Sequence, residues 1–477
     1  MTPTAPPPSH KWIALGVTTI GVLMVAIDST VVILAIPDIM SELHSNLVSM
    51  VWVIMSYILA STMFLLALGR VADLYGRVRL YNLGFIVFTI GSALCGLAAS
   101  DSGLIAFRVI QGVGGALLVV NSLAIITEAF PPRERGTAMG YSSIAFATGS
   151  ILGPILGGII LSVASWRWIF LINIPIGIIG TAAAFRCLHH VPPQPTDERL
   201  DVPGTITFSF SLFCLLFALT QSIELGWRSN LVIGLLIAFA VSLVAFLIIE
   251  SRSISPAMDP RLFRSRLYDF SVLAAMLQSL AIFSVQFLIV FYLQAVRGYD
   301  PLHAAFGLLP LPIMNAIAGP IGGRISDRIG ARLPASVGLL IQVIALYWLS
   351  MTGKTSPYSH IAIGLALMGI GGGLFYSPNT SSAMSASPSD RLGVAAATLS
   401  TLRNVGMVVS FALALAVAAG SLPKDVMLKL FIGTSIHLGS SLMTAFTEGM
   451  QAALRASIVV CLIAAGMSLI RGHEVRR

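Results

Sequence analysis

The sequence predicts an all-α integral membrane protein in which two six-helix halves flank two inserted helices, fourteen spans in all. Three observations predict it. Hydrophobic residues make up 56% of the 477 positions and charged residues 10%, with a mean hydropathy of +0.90, which is too little polar surface for a water-soluble globule. Apolar windows of about 20 residues, enough to cross about 30 Å of hydrocarbon at about 1.5 Å per residue, recur along the whole chain. Finally, the polar knot Gly69-Arg-Val-Ala-Asp-Leu-Tyr-Gly-Arg-Val-Arg79 returns as Gly323-Arg-Ile-Ser-Asp-Arg-Ile-Gly-Ala-Arg332, with Asp73 and Asp327, and Gly76 and Gly330, each 254 positions apart. The chain is a duplication.

In order, residues 1–11 form a proline-rich polar tail, and the first span, 12–36, lacks a small-residue cleavage site, so it reads as a retained helix rather than a removable signal. The other spans fall at 48–69, 79–99, 103–126, 137–163, 168–187, 203–222, 229–250, 270–295, 303–324, 332–351, 358–382, 392–419 and 451–471. The knot follows span two and again span ten, which leaves six spans per copy and spans seven and eight over. The expected units are therefore an N-terminal half at 12–190, linkers with the inserted pair at 191–266, a C-terminal half at 267–471 and a tail at 472–477. Placing the N-terminus in the cytoplasm puts 19 of the 28 Lys and Arg in inside segments and 7 outside, with Arg108 and Arg403 inside spans. That distribution obeys the positive-inside rule and predicts two cytoplasmic termini. The longest outside segment, Gly420–Gly449, contains the apolar stretch Met427–Ile432, expected to be a short interfacial helix or hairpin.

Other classes fit poorly. The net charge of +8 is spread over short inter-span segments with no basic stripe, so nucleic acid is not expected as a partner. Cys95, Cys187, Cys214 and Cys461 lie far apart, mostly in apolar runs, and suggest neither a disulfide framework nor a metal site. The eight histidines lie in loops or near span ends, so no catalytic metal or other cofactor is expected and the chain does not read as an enzyme. A phosphate-binding Gly-x-x-x-x-Gly-Lys-Ser/Thr loop is absent, which argues against ATP as the energy source.

At the knot, and at four further stretches, the residues resemble the major facilitator superfamily and within it the 14-span drug:proton antiporters. These stretches are Arg108-Val-Ile-Gln111-Gly112-Val-Gly114 in span four, Gly149-Ser-Ile-Leu-Gly153-Pro154-Ile-Leu-Gly157-Gly158 in span five, Asp28-Ser-Thr30-Val31 to Pro37 in span one, and Trp166-Arg-Trp168-Ile-Phe170-Leu-Ile-Asn173-Ile-Pro175 at span six. One departure is Ile33, where that branch usually carries asparagine. The resemblance implies a major facilitator fold acting as a monomer in the cell membrane, with small-molecule substrates and protons as its partners. It implies export of amphipathic, cationic organic compounds by alternating access; export of one endogenous metabolite or lipid is the alternative.

Each motif also has a physical reading. Asp28 is the only carboxylate well inside a span, and an ionised group among apolar neighbours is costly, so it suits proton exchange, and the resemblance implies a coupling or cation-recognising residue there; a structural carboxylate held by hydroxyls such as Thr30 is the plainer alternative. Glu128 and Glu224, near span ends, come next. Arg108 stays charged and can bias such a carboxylate or simply snorkel to the interface, and Arg403 could play either part. Gly149, Gly153 and Gly157 fall at i, i+4 and i+8, with Pro154 and Gly158 beside them, a face suited to close helix crossing. The resemblance implies that it seals span five against the other half. It also implies a conformational latch in Gly69, Asp73, Gly76, Arg77, Asp327 and Arg332, with Asp73 capping a helix near Gly393. Substrate candidates are Asp28, Gln111, Trp52, Tyr57, Gln286, Tyr292, Gln294, Asn315 and Asn404, polar or aromatic groups within spans that suit a large, mostly apolar pocket.

Overall fold

The structure, a computed structural model, describes residues 8–188, 201–253, 256, 258–259, 261–421 and 440–472. Among them fourteen helical stretches are long and apolar enough to cross a membrane, and no strand occurs. The helices of the first half are α1 (Pro8–Glu42), α2 (Leu47–Tyr75), α3 (Arg77–Gly96), α4 (Asp101–Ala129), α5 (Arg135–Val163), α6 (Trp168–Leu171) and α7 (Asn173–Cys187). The inserted pair is α8 (Val202–Leu225) and α9 (Asn230–Arg252). The second half holds α10 (Arg266–Phe291), α11 (Pro301–Gly307), α12 (Pro310–Ile329), α13 (Arg332–Leu349), α14 (Tyr358–Ser385), α15 (Leu392–Ser421) and α16 (Ser440–Ile470).

Local chemistry sets these bounds. Asn46 accepts the Ser49 N–H at 2.9 Å ahead of α2, and Ser100 accepts the Gly103 N–H at 3.1 Å ahead of α4. Span ten is broken into α11 and α12, with Pro310 opening the second piece, where its missing N–H costs nothing. The last span departs from the sequence reading, because α16 starts at Ser440 instead of 451. The stretch that opens it is too mixed for a hydropathy window yet free of helix breakers other than Gly449. The expected interfacial piece Met427–Ile432 lies outside the described residues.

Glycines decide which helices touch. A carbon added to Gly91 would stand 2.7 Å from the Gln111 backbone nitrogen, and one on Gly112 would stand 2.6 Å from the Tyr57 carbonyl oxygen, so α4 crosses α3 and α2 where only hydrogen fits. The same crossings return in the second half. There Gly369 lies against the Leu311 carbonyl and Gly371 against Gln342, while Gly114 of the first half lies against Phe88. Tyr57 and Leu311, like Phe88 and Gln342, are 254 positions apart, so the duplication seen in the knot is also a duplication of packing. The halves meet through α5 on α12 and α2 on α15, and the inserted α8 packs on α9 and lies along α2 and α15.

Candidate functional site

The close crossings of α4 bring a buried polar network together inside the first half. Asp28 on α1 is 0% exposed and Arg108 on α4 is 2% exposed. Arg108 Nη1 donates to Asp28 Oδ2 at 2.6 Å and to Gln111 Oε1 at 2.6 Å, and its Nε donates to the Val53 carbonyl at 3.1 Å. The other carboxylate oxygen, Oδ1, accepts from Gln111 Nε2 at 2.8 Å and from Asn173 Nδ2 at 3.1 Å. Ser92 on α3 accepts from both amides, at 2.6 and 3.3 Å. The Tyr57 ring lies 4.4 Å from the guanidinium, and the Cys95 thiol sits 3.8 Å from Gln111 Oε1. Two buried charges thus neutralise each other with nearly every polar atom partnered, the condition under which such a pair is tolerated away from water.

Asn173 and Ser92 were not singled out by sequence reasoning. Asn173 stands in the Trp166–Pro175 stretch, so a signal existed; Ser92 gave none. The remainder of that stretch fastens the far ends of the helices. Trp166 Nε1 donates to Glu42 at 2.7 Å, Arg167 pairs with the same carboxylate, and Arg167 Nη2 donates to the Ala98 carbonyl at 3.0 Å. Thr30 takes no part at Asp28: its hydroxyl donates to the carbonyls of Ala26 and Ile27.

A second constellation lies on the membrane side where α1 begins. Asp73 accepts the N–H groups of Gly393 and Val394, both at 2.9 Å, at the start of α15. Asp327 accepts those of Gly136 and Thr137 at 2.8 and 2.7 Å, and the Thr137 hydroxyl at 2.6 Å, at the start of α5. Each aspartate caps a helix of the other half, where exposed N–H groups and the macrodipole favour an anion. Gly76 and Gly330 hold φ of 101° and 93°, a conformation that strains other residues, so the turn behind each aspartate calls for glycine. Arg77 joins Asp73 at 3.0 Å, Glu128 at 3.0 Å and the Ser389 carbonyl at 2.8 Å. Arg332 opens α13 and supplies none of the bonds to Asp327.

Several expected placements differ. The glycine face of α5 packs within its own half: Gly149 lies against Leu23 and Ala26, Gly153 against Ile27 and Thr30, and Gly157 against Val31 and Leu34, all on α1. Only Gly158 reaches the other half, at Leu302, whereas the close contact with α12 is made by Gly136 and Gly140, nearer the start of α5. Pro154 lies inside α5 on this stretch. Tyr292 is fully buried with its hydroxyl on the Gly353 carbonyl at 2.7 Å, so it braces a loop. Trp52 packs on Phe217 of the inserted α8, with ring centroids 5.7 Å apart. Gln286 and Gln294 lie on and just beyond α10, and Asn315 sits beside Gly372. Asn404 donates to Thr62 across the halves at 3.0 Å.

The family model of the Major Facilitator Superfamily matches residues 18–411. The chain belongs to the major facilitator superfamily. Among similar proteins, multidrug resistance protein Stp of Mycobacterium tuberculosis (strain CDC 1551 / Oshkosh) is 34% identical over 84% of this chain and 74% of its own length. Multidrug resistance protein 3 of Bacillus subtilis (strain 168) is 34% identical over 85% and 79%, and riboflavin transporter RibZ of Clostridioides difficile (strain 630) is 32% identical over 85% and 86%. The solved proton:xylose symporter XylE superposes with a TM-score of 0.63 at 14% identity, covering 96% of this chain and 94% of that one, and so shows the fold. This member is a membrane-spanning transporter, and its family and relatives point to transport, not catalysis.

Proposed function

We propose that this transporter is a proton-coupled antiporter that exports amphipathic organic compounds by alternating access, as a monomer in the cell membrane with both termini in the cytoplasm. The observation that carries the reading is the buried Asp28–Arg108 pair and the partners around it. With a proton on Asp28, Arg108 would still hold the Val53 carbonyl, the Gln111 amide oxygen and the Tyr57 ring face. Protonation of Asp28 therefore would not strand the guanidinium, which keeps three partners of its own. A helix movement that draws Arg108 away leaves a desolvated carboxylate, and a proton relieves that cost. The closed Asp73 and Asp327 caps supply the other half of an alternating-access cycle, a gate shut on the proposed cytoplasmic side. Relatives named for multidrug resistance support export.

Cation recognition at Asp28 is less well supported, because both its oxygens are engaged by Arg108, Gln111 and Asn173. Dye accumulation in inverted vesicles with an acidic interior tests direction and coupling together. The expected result is accumulation that a protonophore abolishes and that Asp28→Asn lacks; accumulation that survives the collapse of the gradient would overturn the coupling. Export of a single metabolite is a second reading, favoured by the relative named as a riboflavin transporter. Riboflavin movement without dye movement in the same vesicles would select it.

A further inference from the structure

Arg403 is an intramembrane charge that the Asp28 network does not use. It lies eleven residues into α15, whose first turn holds the Asp73 cap, and so about 16 Å from that end, near the middle of about 30 Å of hydrocarbon. Its guanidinium stands 4.3 Å from the centroid of the Tyr376 ring, and Nη2 donates to Thr380 Oγ1 at 3.3 Å, both on α14. No Asp or Glu among the described residues pairs with it. The side chain is half-buried, and an unpaired guanidinium at this depth has to face a water-filled space, not lipid. The neighbouring Asn404 bonds across to Thr62, so this turn of α15 lies beside the other half.

Two further groups on the same helix turns are unspent. Ser377 Oγ, one residue past Tyr376, and Ser400 Oγ, one turn before Arg403, have no hydrogen-bond partner, although the residues are 0% and 4% exposed. Buried hydroxyls without partners are uncommon and mark a place where a ligand or water completes the bonding. Nor is this arginine a relic of the duplication: at the 257-residue offset that relates Gly112 to Gly369, its counterpart is Phe146.

We propose that Arg403, with Thr380 and Tyr376, anchors the transported compound and takes the acidic group, a carboxylate or sulfonate, of an amphipathic organic anion. The planar guanidinium fork matches such a group with two parallel N–H bonds. The Thr380 hydroxyl accepts from Arg403 and keeps its own hydrogen to donate to the bound anion, and the Tyr376 face offers a surface for an attached ring. Arg108 is balanced by Asp28, whereas Arg403 has no carboxylate partner among the described residues, and an anionic compound would cancel its charge. This rests on the export reading only for the direction of movement.

Binding without any gradient tests the site by itself, using the whole protein in lipid nanodiscs and fluorescence anisotropy with anionic carboxyfluorescein and cationic ethidium. Wild type should bind carboxyfluorescein more tightly than ethidium. Arg403→Gln should weaken carboxyfluorescein about tenfold or more, the loss of one charge-assisted interaction, with ethidium unchanged, and Arg403→Lys should recover part. Should Arg403→Gln fail to fold, wild type alone decides, because rising salt must weaken carboxyfluorescein selectively. Equal affinity of wild type for both probes, or an Arg403→Gln protein that holds carboxyfluorescein as tightly as wild type, would overturn the proposal and leave Arg403 as a packing arginine. Binding that passes these tests while vesicle transport fails would overturn the export reading and keep the site.

Discussion

At the residue scale, Asp28 and Arg108 were legible as unusual because ionisable groups inside apolar runs are costly, and their pairing was one open reading beside an arginine that snorkels to the interface. The two residues are 80 positions apart, and the close crossings at Gly91 and Gly112 seat α4 against α3 and α2 at the level where Arg108 meets Asp28 of α1. Removing one partner of a buried ion pair strands the other, at a cost of about 3–5 kcal/mol. Arg108 keeps the Val53 carbonyl, Gln111 and Tyr57, so Asp28→Asn is expected at or below the low end, about 3 kcal/mol. The Asp28→Asn/Arg108→Gln double variant should lose less than the sum of the two single changes, as thermal unfolding in detergent would show. Additive losses would mean that the pair is not coupled. Arg108→Lys should also fail in transport, since an ammonium cannot fill the fork between Asp28, Gln111 and Val53 while stacking on Tyr57.

Among the elements, span number and order could be read from hydropathy and arginine spacing, whereas the break in span ten and the early start of α16 could not, because a window average hides local prolines and mixed helix ends. The small face of α5 was legible as a helix-crossing surface; which helix it crosses is a tertiary fact. Its detail makes a graded prediction. A side chain at Gly153 meets Thr30 and the Ile27 carbonyl, the latter at 3.1 Å, whereas one at Gly158 meets only the end of Leu302, at 3.3 Å. Gly153→Leu should therefore cost about 1–3 kcal/mol in overpacking and abolish transport, with Gly158→Leu far milder. Thermal stability and vesicle uptake of the two variants check this; equal behaviour would mean that α1 and α5 do not stay in contact through the cycle.

For the whole molecule, the duplication was plain in the knot, yet the structure shows that it was kept unevenly. Both halves retain the glycine crossings and an aspartate that caps the other half, while the positions 257 residues after Arg108 and Gln111 are Leu365 and Met368, so the arginine and amide of the first-half network are not repeated at the equivalent positions. Symmetry therefore resides in the caps that join the halves and asymmetry in the charged network. The two caps should contribute alike to closure. Each aspartate accepts two backbone N–H groups of a helix start, and hydrogen bonds to a charged group contribute about 1.5–3 kcal/mol. Asn keeps one acceptor oxygen and loses the charge, so Asp73→Asn and Asp327→Asn should each shift the equilibrium between closed and open by roughly tenfold. The Asp327 change should be somewhat the weaker of the two, because the Thr137 hydroxyl remains as a further donor, while Asp73 also loses the charge that orients Arg77. Distances between spin labels placed across the knot side on α2 and α15 would report the open population directly. Both single variants should populate a longer distance and the double variant more so; a distance distribution unchanged by both substitutions would mean that the aspartate caps do not hold the halves together.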